Sequence, residues 1–152
     1  MKEISTDTHS PEEFLQLYLK QIVSIQQNKR KDFKYSCAED FILKHGTVYE
    51  YEQLSKGIKL GMRGLCFENA FRLARLKNWL YVEGFATSII PVHHAWCAKP
   101  AKPFTVIDTT WERIRELKNM KIAYFGVAFN IKIVSEVRNR ESTLLDDWKN
   151  EW

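Results

Sequence analysis

The stretch that decides the fold runs from Gly64 to Trp111: GLCFENAFRLARLKN (64–78), WLYVEGF (79–85), VHHAWCA (92–98) and FTVIDTTW (104–111). Its first piece has helical spacing from about Cys66 to Lys77, with Phe67, Ala70, Phe71 and Ala74 on one side. The next three pieces are rich in aromatic and branched residues and read as strands over Trp79–Phe85, Val92–Ala98 and Phe104–Asp108. Pro100 and Pro103 mark the connection between the last two.

Working outward from this stretch, Ser10-Pro11-Glu12-Glu13 opens a helix as a capping box with proline at the first helical position. Phe14, Leu17, Tyr18, Ile22 and Ile25 carry that helix to about Gln27. A second capping box, Ser36-Cys37-Ala38-Glu39, opens a shorter helix that stops at Gly46. Thr47 to Arg63, with Gly57, Gly61 and the neighbouring Gly64, reads as mostly loop. Toward the end of the chain, Ala128 to Val137 reads as a strand and Leu144 to Trp152 as a terminal helix. Residues 1–9 read as a flexible tail and residues 10–152 as one domain. Helices followed by strands predict an α+β fold, with the helix that begins at Cys66 packed on an antiparallel sheet.

Of 152 residues, 45% are hydrophobic and 28% charged, the balance of an ordinary globular chain with material for a core. The net charge of +4 is small and spread out, and the run Lys29-Arg30-Lys31 falls between two helical patterns as a solvated turn. Nucleic-acid binding is not expected from such a distribution. Three cysteines rule out a pure disulfide framework. Met1 to Ser10 has no apolar leader core and no stretch approaches membrane-spanning length. The expectation is a soluble cytoplasmic protein with no membrane partner.

Chemistry gathers on three residues. Cys66 begins a helix, where free N–H groups and the helix dipole favour a thiolate, the nucleophilic form. Strand alternation puts His94 and Trp96 on one face and His93 and Cys97 on the other. Asp108 ends the next strand, within reach of an imidazole on its neighbour, where a carboxylate fixes the tautomer and stabilises the imidazolium. Cys37 and Cys97 read as core thiols, His93 as packing or surface, and His45 as a cation at a helix end. Cys66, His94, Cys97 and Asp108 are competent metal ligands, but no C-x-x-C or H-x-x-x-H spacing joins them, and no metal is expected. No glycine-rich phosphate loop appears, and no cofactor is expected.

Gly64-Leu65-Cys66, Tyr81-Val82-Glu83-Gly84, His94-Ala95-Trp96 and Asp108-Thr109-Thr110 resemble, in order, the four motifs of the transglutaminase-like core: G-x-C, Y-V-x-G, H-A-W and D-x-T. Arg63-Gly64-Leu65-Cys66-Phe67-Glu68-Asn69 is also similar to the R-G-G-x-C-x-E-x-N signature of arylamine N-acetyltransferases, which share that core. It is short of one glycine and of one residue between Glu68 and Asn69. The resemblance implies a Cys66 nucleophile, a His94 base and acid, an orienting Asp108, and a papain-related fold. It implies acyl transfer through a thioester on a protein or peptide substrate, as a protease, deamidase or transglutaminase. Trp96 and Trp111 are candidates for lining the cleft, and Tyr49, Tyr51 and Gln53 for a second oxyanion donor beside the Cys66 N–H. The alternative is an inactive domain of the same type that binds protein.

Overall fold

A computed structural model describes residues 9–26, 33–87, 89–114, 119–137 and 144–145. The Lys29–Lys31 turn and all but the first two residues of the expected terminal helix lie outside the described residues. Helices α1 (Pro11–Gln26) and α2 (Ala38–His45) are followed by strand β1 (Thr47–Tyr51) and helix α3 (Cys66–Lys77). Strands β2 (Leu80–Thr87), β3 (Pro91–Lys99), β4 (Lys102–Ile107) and β5 (Ala123–Phe129) come next, and helix α4 (Ile131–Val137) closes the order.

The α1 capping box forms as the sequence predicts. The Ser10 N–H donates to Glu13 Oε2 at 2.9 Å and the Glu13 N–H to Ser10 Oγ at 3.2 Å. The buried stripe, however, is Leu15, Leu19 and Val23, and Phe14, Leu17 and Ile25 are exposed. Two apolar rows overlap on this helix, and the i, i+4 row of branched aliphatics is the one that meets the sheet. At α2 the N-cap is Cys37, one residue later than expected. The Ser36 N–H and Oγ both donate to Asp40, not Glu39, at 2.9 and 3.2 Å.

The strands close into a barrel in the order β1-β4-β3-β2-β5. Antiparallel pairs make up most of it, but β1 runs parallel to β4, which corrects the expectation of a wholly antiparallel sheet. β1 itself corrects the reading of Thr47–Arg63 as loop. Its Thr-Val-Tyr-Glu-Tyr composition suits a strand, and it is held from both sides by partners more than fifty residues away in sequence. The segment read as a strand over Ala128–Val137 divides instead: β5 ends at Phe129 and α4 begins at Ile131. Asn130 makes the break, its Oδ1 accepting the Lys132 N–H at 2.9 Å.

Alternation sorts the side chains into two cores. Inside the barrel lie Tyr49, Val82, Trp96, Val106 and Tyr124. Outside, Tyr81, Phe85, Cys97 and Phe125 meet Leu15, Leu19, Ala70 and Ala74 from the helices. Gly84 and Gly126 face each other across β2 and β5. A Cβ at Gly84 would lie 2.3 Å from the Phe125 carbonyl oxygen, and one at Gly126 would lie 2.9 Å from the Trp96 ring. Gly126 thus leaves room for the Trp96 ring in so narrow an interior, while Gly84 lets the β5 backbone come close. Among the described residues no helix is long and apolar enough to cross a membrane.

Candidate active site

Helix α3 lies against β3 and is seated by small residues: Ala70 and Ala74 are buried at the contact. Cys97, on the outer face of β3, donates its thiol to the Ala70 carbonyl at 3.1 Å. This seating brings the first residue of the helix, Cys66, beside His94. Cys66 is partly exposed, whereas Cys37 and Cys97 are buried and burial pushes both of their thiols up.

His94 projects to the barrel side of β3, together with Trp96, and is 1% exposed. His93 faces the other way, as alternation requires, with its ring against Phe67 and Phe85. The His94 Nε2 bonds Asp108 Oδ2 at 2.7 Å, and the Cys66 side chain is in hydrogen-bonding reach of the same ring. An ionised carboxylate only accepts, so Nε2 carries a proton and Nδ1 is the nitrogen left for the thiol.

Asp108, just past the end of β4, takes four donors. Oδ1 accepts the Thr110 and Trp111 N–H groups at 2.8 and 3.0 Å, and Oδ2 accepts His94 Nε2 and the Tyr124 hydroxyl at 2.7 and 2.9 Å. Burial alone raises such a carboxyl, but the His94 charge and bond and the two backbone donors outweigh it and hold Asp108 below the ordinary range. Burial likewise opposes a charge on His94. The Asp108 charge and bond, joined by the Cys66 side chain, win and raise the imidazole to about 9. The arrangement therefore favours an imidazolium between a carboxylate and a sulfur, the pairing a thiol nucleophile uses.

The two tryptophans differ. Trp111 is half-buried and stacks on the His94 ring with centroids 4.2 Å apart. Trp96 is 1% exposed inside the barrel, edge-on to Tyr49 and Tyr124, so its part is packing and it does not line a cleft. Among the oxyanion candidates, Tyr49 is also interior, its phenol pushed up to about 12 by burial. The Tyr51 hydroxyl donates to Glu112 at 2.6 Å, and Gln53 is exposed.

Of three residues given no role in the sequence reading, two support this site and the third braces the opposite face of β3. Tyr124 is the fourth donor to Asp108. Asn69, one turn along α3 from Cys66, is the second. Its Nδ2 donates to the Met62 carbonyl and Thr110 Oγ1 at 2.8 and 2.9 Å, and its Oδ1 accepts the Met62 N–H at 3.2 Å. One amide thus ties the loop before Cys66 to the turn after Asp108, and Gly61, bonded through its N–H to the Thr109 carbonyl, leaves the space for it. Asn69 is the fourth residue of α3, and its place at the end of the Arg63–Asn69 motif was its signal in the sequence. The third is Glu83, fully buried in β2. It accepts the Tyr81 hydroxyl, His93 Nε2 and the N–H groups of Leu144 and Leu145, all at 2.8–2.9 Å. It anchors that segment against the face of β3 opposite His94. His45 ends α2 as expected, with its Nε2 bonded to the Tyr35 hydroxyl. Among the described residues no group of three His, Cys, Asp or Glu side chains gathers as a metal site.

Compared with known proteins, the chain matches no family model, no curated protein and no solved structure.

Proposed function

We propose that this chain is a thiol-dependent acyl-transfer enzyme of the transglutaminase-like type, acting on amide bonds of a protein or peptide. The observation that carries the reading is the line Cys66–His94–Asp108: a partly exposed thiol at a helix start, an imidazole beside it, and a buried carboxylate 2.7 Å from that imidazole. The Cys helix packed on the strand that bears the histidine, with the aspartate just past the end of the neighbouring strand, supports the arrangement the motif resemblance implies.

In this reading Cys66 Sγ attacks the amide carbonyl carbon, and the developing oxyanion faces the N–H groups at the start of α3. The C–N bond breaks as His94 gives its proton to the leaving nitrogen, and a thioester on Cys66 remains. His94, now neutral at Nδ1, takes a proton from a second nucleophile, which attacks the thioester and releases Cys66. Water as that nucleophile gives hydrolysis or deamidation, and a primary amine gives a new amide. Asp108 keeps Nε2 protonated throughout, so that Nδ1 alone exchanges protons. Asn69 and Tyr124 act as positioning residues, one for the loop and one for the carboxylate.

The test uses dimethylcasein with a fluorescent primary amine, reading amine incorporation, ammonia release and chain cleavage. At least one product is expected from the wild type, and none from Cys66→Ala or His94→Ala. No product from folded wild type would turn the reading to the alternative, a protein-binding domain without catalysis.

A further inference from the structure

Beside the Cys helix a cavity of about 480 Å³ opens between α3 and the loop over Gly57–Met62. Ile58, Leu60, Met62, Leu73 and Leu76 give it an aliphatic lining, and Lys59, Arg72 and Lys77 supply its charge, with no acidic residue lining it among the described residues. Met62 and Leu76 are 68% and 79% exposed, far more than the core requires of such residues. From Lys56 to Lys77 the chain carries Lys56, Lys59, Arg63, Arg72, Arg75 and Lys77 against a single acid, Glu68, which is already paired with Arg72 at 2.6 Å. An aliphatic floor with a basic rim complements an apolar side chain flanked by carboxylates. Among the described residues no aromatic ring lines it, which disfavours stacked bases.

The cavity has a fixed relation to the thiol. At 100° per residue, Cys66, Asn69, Leu73 and Leu76 lie along one side of α3, and a rise of 1.5 Å per residue puts Leu76 about 15 Å from Cys66. The Asn69–Met62 bridge crosses this side one turn in, so the cavity opens beyond it as a surface separate from the thiol. An extended peptide covers about 15 Å in four to five residues.

We propose that this groove docks acidic peptide segments, seating one aliphatic side chain on Leu73 and Leu76, about four to five residues from the amide presented to Cys66. The spacing to a reacting amide rests on the acyl-transfer reading. The docking itself does not.

Fluorescence polarisation decides it, with three fluorescein-labelled peptides: leucine flanked on each side by two glutamates, the same with lysines, and the glutamate peptide with serine for leucine. The glutamate–leucine peptide binds wild type and Cys66→Ala equally, and the other two bind much more weakly. Leu76→Glu and the double reversal Lys59→Glu/Lys77→Glu change exposed side chains, with melting curves to verify the fold, and each weakens binding by about tenfold or more. The double reversal also gains affinity for the lysine peptide. Equal binding of the acidic and basic peptides, or indifference to both variants, would overturn the proposal. So would tighter binding of a labelled oligothymidylate that is lost in the same variants. A silent casein assay alongside intact peptide binding would sink the chemistry and leave the groove.

Discussion

Asp108→Asn lowers the rate at which p-nitrophenyl acetate acylates Cys66 by about a hundredfold or more, read as nitrophenolate release and as acetyl on Cys66 by mass spectrometry. The reason is a mismatch of donors. Asp108 faces four hydrogen-bond donors with two acceptor oxygens. An asparagine keeps one oxygen for the Thr110 and Trp111 amides and turns an NH2 group toward His94 and Tyr124. Tyr124 adapts by rotating its hydroxyl to accept. His94 adapts only by moving its proton to Nδ1, which then cannot take one from the thiol. The side chain keeps its size, so the barrel should survive, and circular dichroism should show it. A rate near that of wild type would mean that His94 does not depend on Asp108 for its tautomer.

The second large effect is on stability. With His94 raised from an ordinary 6.5 to about 9 in the folded protein, folding favours its protonated form. Its contribution is complete below about pH 6.5 and is lost as pH rises through about 9. The difference is worth about 3 kcal/mol at 1.36 kcal/mol per pH unit. Asp108 has the opposite sign: held below its ordinary 3.8, it contributes above that pH and the contribution is lost as pH falls further. The groups facing His94 are Asp108, Tyr124 and Cys66, so the imidazolium is the species whose loss this window reports. Urea unfolding of wild type and His94→Gln at pH 6 and pH 9.5 should show the gap between them narrowing by about that amount. A gap independent of pH would mean that the buried ring is neutral throughout.

Between Gly64 and Trp111 the sequence is legible because the signals are local. The periodicity of 66–77 marks α3, the two-residue alternation of β3 separates His94 from His93, and Pro100 marks the turn to β4, although Pro103, read as part of the same connection, lies inside the strand. Each of these depends on neighbours a few positions away. What was not legible depends on distant partners. β1 is five residues long and becomes a strand only when Glu50 and Tyr51 meet Thr105 and Val106, and Thr47 to Tyr49 meet residues of β5. Tyr124 reaches Asp108 only because the barrel closes. On α1 two apolar rows compete, and only the sheet below chooses Leu15, Leu19 and Val23 over Phe14 and Leu17. Glu83 could have been noticed, since a carboxylate in so apolar a strand must find donors. Which donors it found, two of them backbone groups some sixty residues on, no local pattern could show.

The most direct test of the central claim, that Cys66 and His94 form one reactive pair, is the pH dependence of iodoacetamide alkylation followed by peptide mass spectrometry. The account predicts that Cys66 is alkylated well ahead of the buried Cys37 and Cys97 across the neutral range, and that His94→Ala slows it by about tenfold or more. Alkylation of Cys66 that is no faster than that of an unfolded thiol, or is indifferent to His94, would contradict the pair and with it the acyl-transfer reading.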